Sequence, residues 1–395
     1  LYPILKLKPG KENNVIFRHP WVFSGAFASP LDQLDNGELV HVADAAGQII
    51  GTGTFSTHSQ IAVRVFEFGK AEIDYDWIRA RIIAAQEQRS LLGYGNGTDT
   101  TGYRLVFGEA DCLPGLIIDR YNDVFVMQSS TAGVDRLKEL VTKVLIEEFT
   151  PRAIVERSDI PVRKEEGIEE TDGLLYGADV EEVEFLENGI KFVADVLAGQ
   201  KTGFFLDQKD LRKAIRQMAN NGRILNLFSH SGSFSIAALL GGAESIFNVD
   251  SSGQALDLCS HIAELNNLPI DRITWETADV FQWLGDIPQD PFDVVMLDPP
   301  ALVKSQNDLE SGRKAYHFLN RAAMRLIKPN GILITSSCST YFREEDFLFM
   351  LRRASVQTGR QLEILHYVTQ SPDHPWSVYF PESRYLKSFV CRVRG

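Results

Sequence analysis

From about residue 207 to the end of the chain, short apolar runs alternate with helical stretches, and this alternation restricts the fold more than any other feature. Strand candidates are Arg223–Ser229, Ser245–Asp250, Ile273–Asp279, Phe292–Asp298, Gly331–Ser337, Gln361–Val368 and Leu386–Val393. Between the first six lie Phe234–Leu240, Gln254–Asn267, Val280–Leu284, a long helix within Asp308–Lys328, and Glu344–Thr358. A strand that returns through a helix to its neighbour makes a parallel, doubly wound sheet. The last two candidates have no helix between them, so they are expected to pair as an antiparallel hairpin at the sheet edge. The fold class is α/β, with a seven-stranded Rossmann-like sheet at the C-terminal end.

The chain is 395 residues long, more than one ordinary core accommodates, so two or three domains are expected. Residues 1–69 read as a small β unit. Leu39–Val42, Gly47–Gly53 and Ile61–Phe66 alternate apolar and polar positions between turns. From Tyr75 the spacing becomes helical, and residues 70–182 read as a central α/β domain, with residues 160–182 as a charged loop or hairpin. Residues 183–199 form a hairpin linker about Asn188-Gly189, a strong two-residue turn. Residues 200–395 make the last domain. The formal net charge is −13, and 12 of those surplus negative charges fall in residues 70–199, which hold 14 Lys/Arg against 26 Asp/Glu. A basic patch on either end unit therefore stays compatible with a polyanionic partner, because local field steers such a partner. Four cysteines lie far apart with no C-x-x-C pair, so no metal site and no disulfide framework are expected. No apolar run approaches the ~20 residues of a membrane span and no signal peptide is evident, so the expectation is a cytoplasmic protein with no membrane partner.

Chemistry-bearing residues gather where strands end. The first strand runs into Ser229-His230-Ser231-Gly232, and ligands of such sheets bind outside the carboxyl ends beside this turn. Gly232 permits close backbone approach. Asp250 ends the second strand, where a carboxylate can accept ribose hydroxyls, and Asp279 ends the third, within reach of an adenine amino group. That set fits an adenosyl ligand without a pyrophosphate; alternatively these aspartates are helix N-caps. Asp298-Pro299-Pro300 follows the fourth strand, and its prolines hold the carboxylate stiffly at the sheet edge. Cys338 follows the fifth strand among Ser336, Ser337, Ser339 and Thr340, a polar surround expected to solvate a thiolate. A thiolate adding to carbon 6 of cytosine makes carbon 5 nucleophilic. Cys112, Cys259 and Cys391 read as inert small hydrophobes.

Six alternating strands plus a seventh returning without a helix match the methyltransferase variant of the Rossmann architecture. Over essentially its whole length the chain also resembles the RlmI-like family of S-adenosylmethionine-dependent methyltransferases, which make 5-methylcytosine in 23S rRNA. His19-Pro-Trp-Val-Phe-Ser-Gly25 is similar to the opening of that family's PUA domain, an RNA-binding β barrel. Arg104-Leu105, Gly108-Glu109 and Leu113–Arg120 are similar to its central domain, and Gly199–Gln208 to its entry segment. Asn226–Gly232, Asp250, Leu297–Pro300, Ser336–Ser339 and Asp373-His-Pro375 through Lys387 complete the likeness. The resemblance implies Cys338 as nucleophile and Asp298, carried on Pro299-Pro300, as the group holding the base's polar edge. It implies Lys201, Thr202, Asp207 and Gln208 at the methionine end of S-adenosyl-L-methionine. Phe228, Ser229, Asp250 and Asp279, with Ser231 and Gly232 of the first turn, would then surround the nucleoside. Three positions depart from the family: Ala301-Leu302 stand for Lys-Phe, His230 for Tyr, and Ala315 for Gly.

The expected function is therefore methyl transfer to carbon 5 of a cytosine in 23S rRNA through a Cys338 adduct. Arg18, His19, His374 and Lys387 are the candidate RNA contacts. Edge strands in the central domain make a homodimer the expected assembly. Two alternatives stay open: N-methylation of a guanine or adenine through Asp298-Pro299-Pro300, and a non-catalytic rRNA-binding assembly factor.

Overall fold

The computed structural model describes residues 2–28, 31, 33–286 and 292–395, with residues 254–256 and 286 described by backbone alone. By compactness the chain divides into two units. One comprises Leu1–Gly189, Val193–Leu206 and Pro372–Ser383; the other comprises Ile190–Phe192, Asp207–Ser371 and Arg384–Gly395.

The first unit holds two five-stranded sheets. In one, Ile4–Lys6, Leu39–Ala43, Ile49–Phe55, Ile61–Glu67 and Trp21–Phe23 lie side by side in that order. The core of this sheet buries Leu7, Val22, Val40, Val42, Phe55, Val63 and Val65. The other sheet runs Thr171–Gly177, Ala153–Ser158, Val124–Ser129, Leu116–Tyr121, Gly102–Phe107. Helices Tyr75–Leu91 and Ala132–Phe149 pack on its core through Ile78, Ile82 and Ala85 and through Val134, Leu137, Val141, Val144 and Leu145. Each is capped by the residue before it, Asp74 accepting from Trp77 N–H and Thr131 from Val134 N–H. The segment expected as a loop or hairpin over 160–182 contains the edge strand Thr171–Gly177. Its burial alternates only between half-buried and exposed, which left it no apolar signature. The three-residue strands Ile4–Lys6 and Trp21–Phe23 are too short for a period to be read.

The second unit carries the seven-stranded sheet. Its strands are β1 (Arg223–Leu227), β2 (Ser245–Asp250), β3 (Ile273–Thr277), β4 (Phe292–Leu297), β5 (Ile327–Ser337), β6 (Gln361–Val368) and β7 (Lys387–Arg394). Helix α1 (Lys209–Met218) precedes β1. Connecting helices are α2 (Ser233–Leu240), α3 (Gly253–Leu265), α4 (Val280–Asp286), α5 (Leu309–Arg325) and α6 (Glu344–Thr358). The spatial order is β3-β2-β1-β4-β5-β7-β6. As expected, β6 and β7 pair antiparallel at one edge, but β7 lies inside, hydrogen-bonded to β5 as well.

Register brings the strand ends level. Leu227 lies opposite both Val249 and Leu297, and Leu297 opposite Thr335. Phe228, Asp250, Asp298 and Ser336 therefore all emerge at one rim. Because β7 runs the other way, its first residue, Lys387, reaches that rim too, opposite Ser337. β3 stops at Thr277, short of the expected Asp279, because the Asp279 carboxylate turns to accept from Gln282 N–H at 3.0 Å and starts α4.

Candidate active site

The first turn is built on buried polar bonds beneath it. Asn226 Nδ2 donates to Ser235 Oγ at 2.9 Å and to Asn248 Oδ1 at 3.1 Å, and Ser235 Oγ donates to Asn248 Oδ1 at 2.6 Å. With no water to compete, this knot ties β1, α2 and β2 together. Above it, Phe228, His230 and Gly232 all have positive φ, at 60°, 45° and 67°. Gly232 is required twice over: its backbone is left-handed, and a Cβ there would stand 2.0 Å from Cys259 Sγ. Asp250 fastens the turn, its Oδ2 accepting from His230 N–H at 2.8 Å and its Oδ1 from Ser252 N–H at 2.9 Å. A carboxylate has about four lone-pair sites, so ribose hydroxyls can still be accepted. Phe228 meets Phe281, at the start of α4, edge to face with centroids 6.1 Å apart, forming an aromatic wall beside the turn.

Two further groups at this rim are ready for a ligand. Ser229 Oγ and Gln208 Oε1 are buried and have no hydrogen-bond partner among the described residues. Such atoms are costly unless something else satisfies them. Gln208 Nε2 donates to Asp298 Oδ2 at 3.0 Å, and Asp207 Oδ2 accepts from Tyr385 O–H at 2.6 Å. Ser231 is buried in the turn, and Asp279, exposed, serves as the cap of α4. An adenosyl group with an amino-acid tail suits this set: a flat wall, a ribose carboxylate, and unsatisfied polar atoms.

Cys338 is half-buried, outside any disulfide, in the turn after β5. The surrounding serines do not lie open to solvate it, contrary to expectation. Ser336 Oγ is 2.8 Å from Ser388 Oγ across the β5/β7 pair. Ser337 Oγ donates to the Tyr316 hydroxyl at 2.9 Å, and that hydroxyl lies 3.0 Å from Ser339 Oγ, which also accepts from Val303 N–H at 3.1 Å. The serines thus hold the turn in place, with Tyr316 of α5 as their hub. Burial pushes the Tyr316 phenol up to about 12. Pro299 is buried while Pro300 is exposed, and Ala301 and Leu302 are half-buried, Leu302 packing on the core of this unit.

Lys387, expected among RNA contacts, is 6 % exposed. Its Nζ donates to Ser339 O at 2.9 Å and Tyr385 O at 2.8 Å. The remaining expected residues lie in the first unit. Thr202 is buried, its Oγ1 donating to Asp119 Oδ2 at 2.5 Å, and Asp119 is gripped by Arg104 through two bonds of 2.7 Å. Lys201 is exposed, its ammonium 4.3 Å over the Phe205 ring. Arg18 is exposed, 5.9 Å over Phe68. His19 accepts at Nδ1 from Trp21 N–H at 3.2 Å and lies 3.6 Å from Glu382. His374 is 2 % exposed with Nδ1 3.1 Å from Asp373 Oδ1, so it is packed inside this unit. Tyr316, Phe281, Ser235 and Asn248 escaped the sequence reading. Each sits within an ordinary helical or strand pattern, and only tertiary packing sets its role.

Sequence likeness agrees with this geometry. Residues 163–383 match the family described as S-adenosylmethionine-dependent methyltransferase, and residues 5–68 match a PUA-like domain. Two solved structures share the fold over nearly the whole chain. A Streptococcus mutans chain described as a SAM-dependent methyltransferase has a TM-score of 0.84 at 23% identity, covering 99% of this chain and 100% of its own. A methyltransferase chain complexed with SAH has a TM-score of 0.84 at 22% identity, with the same coverage. The protein is an S-adenosylmethionine-dependent methyltransferase with an N-terminal PUA-like domain. Proteins named ribosomal RNA large subunit methyltransferase I match it more closely in sequence. That of Shewanella amazonensis is 41% identical over 394 residues, covering 98% of this chain and 99% of its own. That of Citrobacter koseri is 37% identical over 393 residues, again covering 98% and 99%. The chain belongs to the ribosomal RNA large subunit methyltransferase I family. Among the described residues no helix is long and apolar enough to cross a membrane.

Proposed function

We propose that this protein transfers a methyl group from S-adenosylmethionine to carbon 5 of a cytosine in 23S rRNA, with Cys338 as the covalent nucleophile. The observation that carries the reading is a half-buried thiol just beyond β5, at the same rim as Asp298 and the Asp250 turn. Nitrogen methylation has no use for a sulfur there.

Ser229, Ser231, Gly232 and Asp250, flanked by Phe228, would hold the nucleoside end of the cofactor, and Asp207 and Gln208 its amino-acid end. When bound, S-adenosylmethionine supplies an electrophilic methyl on a sulfonium. Asp298, oriented by Gln208 Nε2, holds the polar edge of a cytosine that has left its stack, an extrusion costing a few kcal/mol. The Cys338 thiolate donates its electron pair to carbon 6, and the carbon 5–carbon 6 π electrons move to carbon 5. Carbon 5 takes the methyl. A base then takes the carbon-5 proton, the electron pair of that C–H bond re-forms the double bond, and the carbon 6–sulfur bond breaks to return the thiolate.

The test uses rRNA fragments carrying 5-fluorocytosine, with S-adenosylmethionine as methyl donor. Fluorine does not leave as a cation, so the protein should stay covalently attached through Cys338. Failure to trap it on a fragment whose normal counterpart is methylated refutes the cytosine-C5 reading. Methylation surviving in Cys338→Ala would point to nitrogen chemistry. No methyl transfer to any rRNA would leave RNA binding alone.

A further inference from the structure

The serine hydroxyls around Cys338 bond to Tyr316, Ser388 and Val303, and a neighbouring cation would hold a thiolate more strongly than neutral hydroxyls do. Thiols become thiolates near neutral pH beside a cation, whereas apolar burial works against them. Three features of the second unit converge on one such cation. The register sets Lys387 opposite Ser337, one residue before the thiol. Its Nζ donates to the carbonyl of Ser339, one residue after the thiol, and to that of Tyr385, which uses two of the three N–H bonds of an ammonium. The side chain is also nearly sealed from water, so its charge is little screened.

We infer that Lys387 takes the proton of Cys338 and stays beside it as the ammonium partner of the thiolate. The transfer is complete in itself: the S–H bond breaks, its electron pair stays on Sγ, and the proton forms the third N–H bond to the Nζ lone pair. Burial drives the Lys387 ammonium down to about 8, so a neutral amine able to accept a proton is within reach near neutrality. A charged Cys338 acts in the opposite sense and favours the ammonium. The other charged groups bearing on Lys387 are Arg384, which disfavours its charge, and Glu344 at the start of α6, which favours it. These two pair with each other at 2.9 Å, and the Tyr367 hydroxyl on β6 donates to Glu344 at 2.9 Å, so their fields largely offset. Tyr316 on α5 is neutral near pH 7, since burial raises it to about 12. Asp298 beyond β4 is turned toward Gln208, and Asp207 toward Tyr385. Lys387 is thus a positioning and proton-holding residue for the nucleophile. Its use in catalysis rests on the cytosine-C5 reading, but the pair itself forms without RNA.

The test is therefore made on the full-length protein without RNA. Iodoacetamide labelling of Cys338 is followed by mass spectrometry from about pH 6 to about pH 10, with Cys338→Ser as the blank. In the wild type the labelling midpoint is expected below the ~8.5 of a free thiol. Lys387→Met should raise that midpoint by one unit or more, slowing labelling near neutrality about tenfold. An unchanged midpoint in folded Lys387→Met, judged by cofactor binding and thermal melting, overturns the pairing. Should that variant not fold, the wild type decides, and a midpoint at or above ~8.5 overturns it. The 5-fluorocytosine trap is read separately, so a depressed midpoint with no trapped adduct would keep the pair and discard the cytosine-C5 reading.

Discussion

Tyr316→Phe removes a single oxygen from the base of the Cys338 turn and leaves everything else in place. The ring keeps its stack on Phe342, 4.7 Å centroid to centroid at 5°. What goes is the acceptor for Ser337 O–H at 2.9 Å and the partner of Ser339 Oγ at 3.0 Å. Ser337 and Ser339 are 0% and 1% exposed, so water does not replace the lost oxygen. Each buried hydroxyl left short costs about 1–3 kcal/mol. Both keep a backbone N–H donor, Ser339 N–H on Ser337 Oγ and Val303 N–H on Ser339 Oγ, so the total for the two belongs in the lower half of the range, about 2–4 kcal/mol. At 1.36 kcal/mol per tenfold, a loss expressed in the placement of Cys338 slows methyl transfer by about 30- to 1000-fold. Single-turnover transfer of labelled methyl to rRNA measures this, with calorimetry of S-adenosylmethionine binding alongside. Cofactor affinity should stay within about threefold, because the Tyr316 hydroxyl bonds to Ser337 and Ser339 and its ring stacks on Phe342, none of them in the Asp250 turn. With its phenol raised to about 12, Tyr316 is uncharged at neutral pH, so the defect should be equal at each pH up to about 9. A rate within about twofold of wild type in a folded variant, or a defect that varies with pH over that range, refutes the argument.

Gly232→Ala combines a clash with Cys259 Sγ and a left-handed backbone. Overpacking of about 1–3 kcal/mol and backbone strain of about 1–2 kcal/mol should lower the melting temperature by about 5–15 °C and abolish tight cofactor binding. Unchanged melting would contradict the packing described. Asp250→Asn replaces a charged acceptor by a neutral one, so S-adenosylmethionine affinity should fall by about 10- to 100-fold in calorimetry. A change under about threefold would remove Asp250 from the cofactor site. Asp119→Ala strands the Arg104 guanidinium and the Thr202 hydroxyl in the first unit, and a loss of about 3–5 kcal/mol is expected in its unfolding. A loss below about 1 kcal/mol would mean that water or another group satisfies Arg104.

What could be read from the sequence was what depends on local period and on strand ends. The parallel sheet follows from alternation, and Asn188-Gly189 adopts the two positive φ values, 50° and 76°, that its dipeptide demands. Asp250 and Cys338 were visible because each closes an apolar run. Choices made by distant partners were not visible. Asp279 had two local options, and its Oδ1 takes one of them, capping α4 through Gln282 N–H three residues away. Thr202 looked like a ligand group, but its hydroxyl is bound by Asp119, 83 positions earlier. His374 and Lys387 were expected as RNA contacts, yet burial puts one against Asp373 and the other against the Ser339 and Tyr385 carbonyls.

Lys387 shows why register matters more than composition at this site. In a parallel sheet every strand delivers its last residues to the functional rim, so a residue that opens a strand is normally carried to the far end. Only the reversal of β7 brings an opening residue to the same rim as Cys338. Side chains alternate faces along a strand, so a slip of one residue would turn Lys387 to the opposite face of the sheet. The Ser336–Ser388 hydroxyl contact at 2.8 Å marks the register that prevents this. The two serines thereby help fix the alignment that carries Lys387 to the residue before Cys338. Replacing both with alanine should then alter the thiol's reactivity more than its exposure, since the cross-strand pair sets the alignment rather than covering the sulfur.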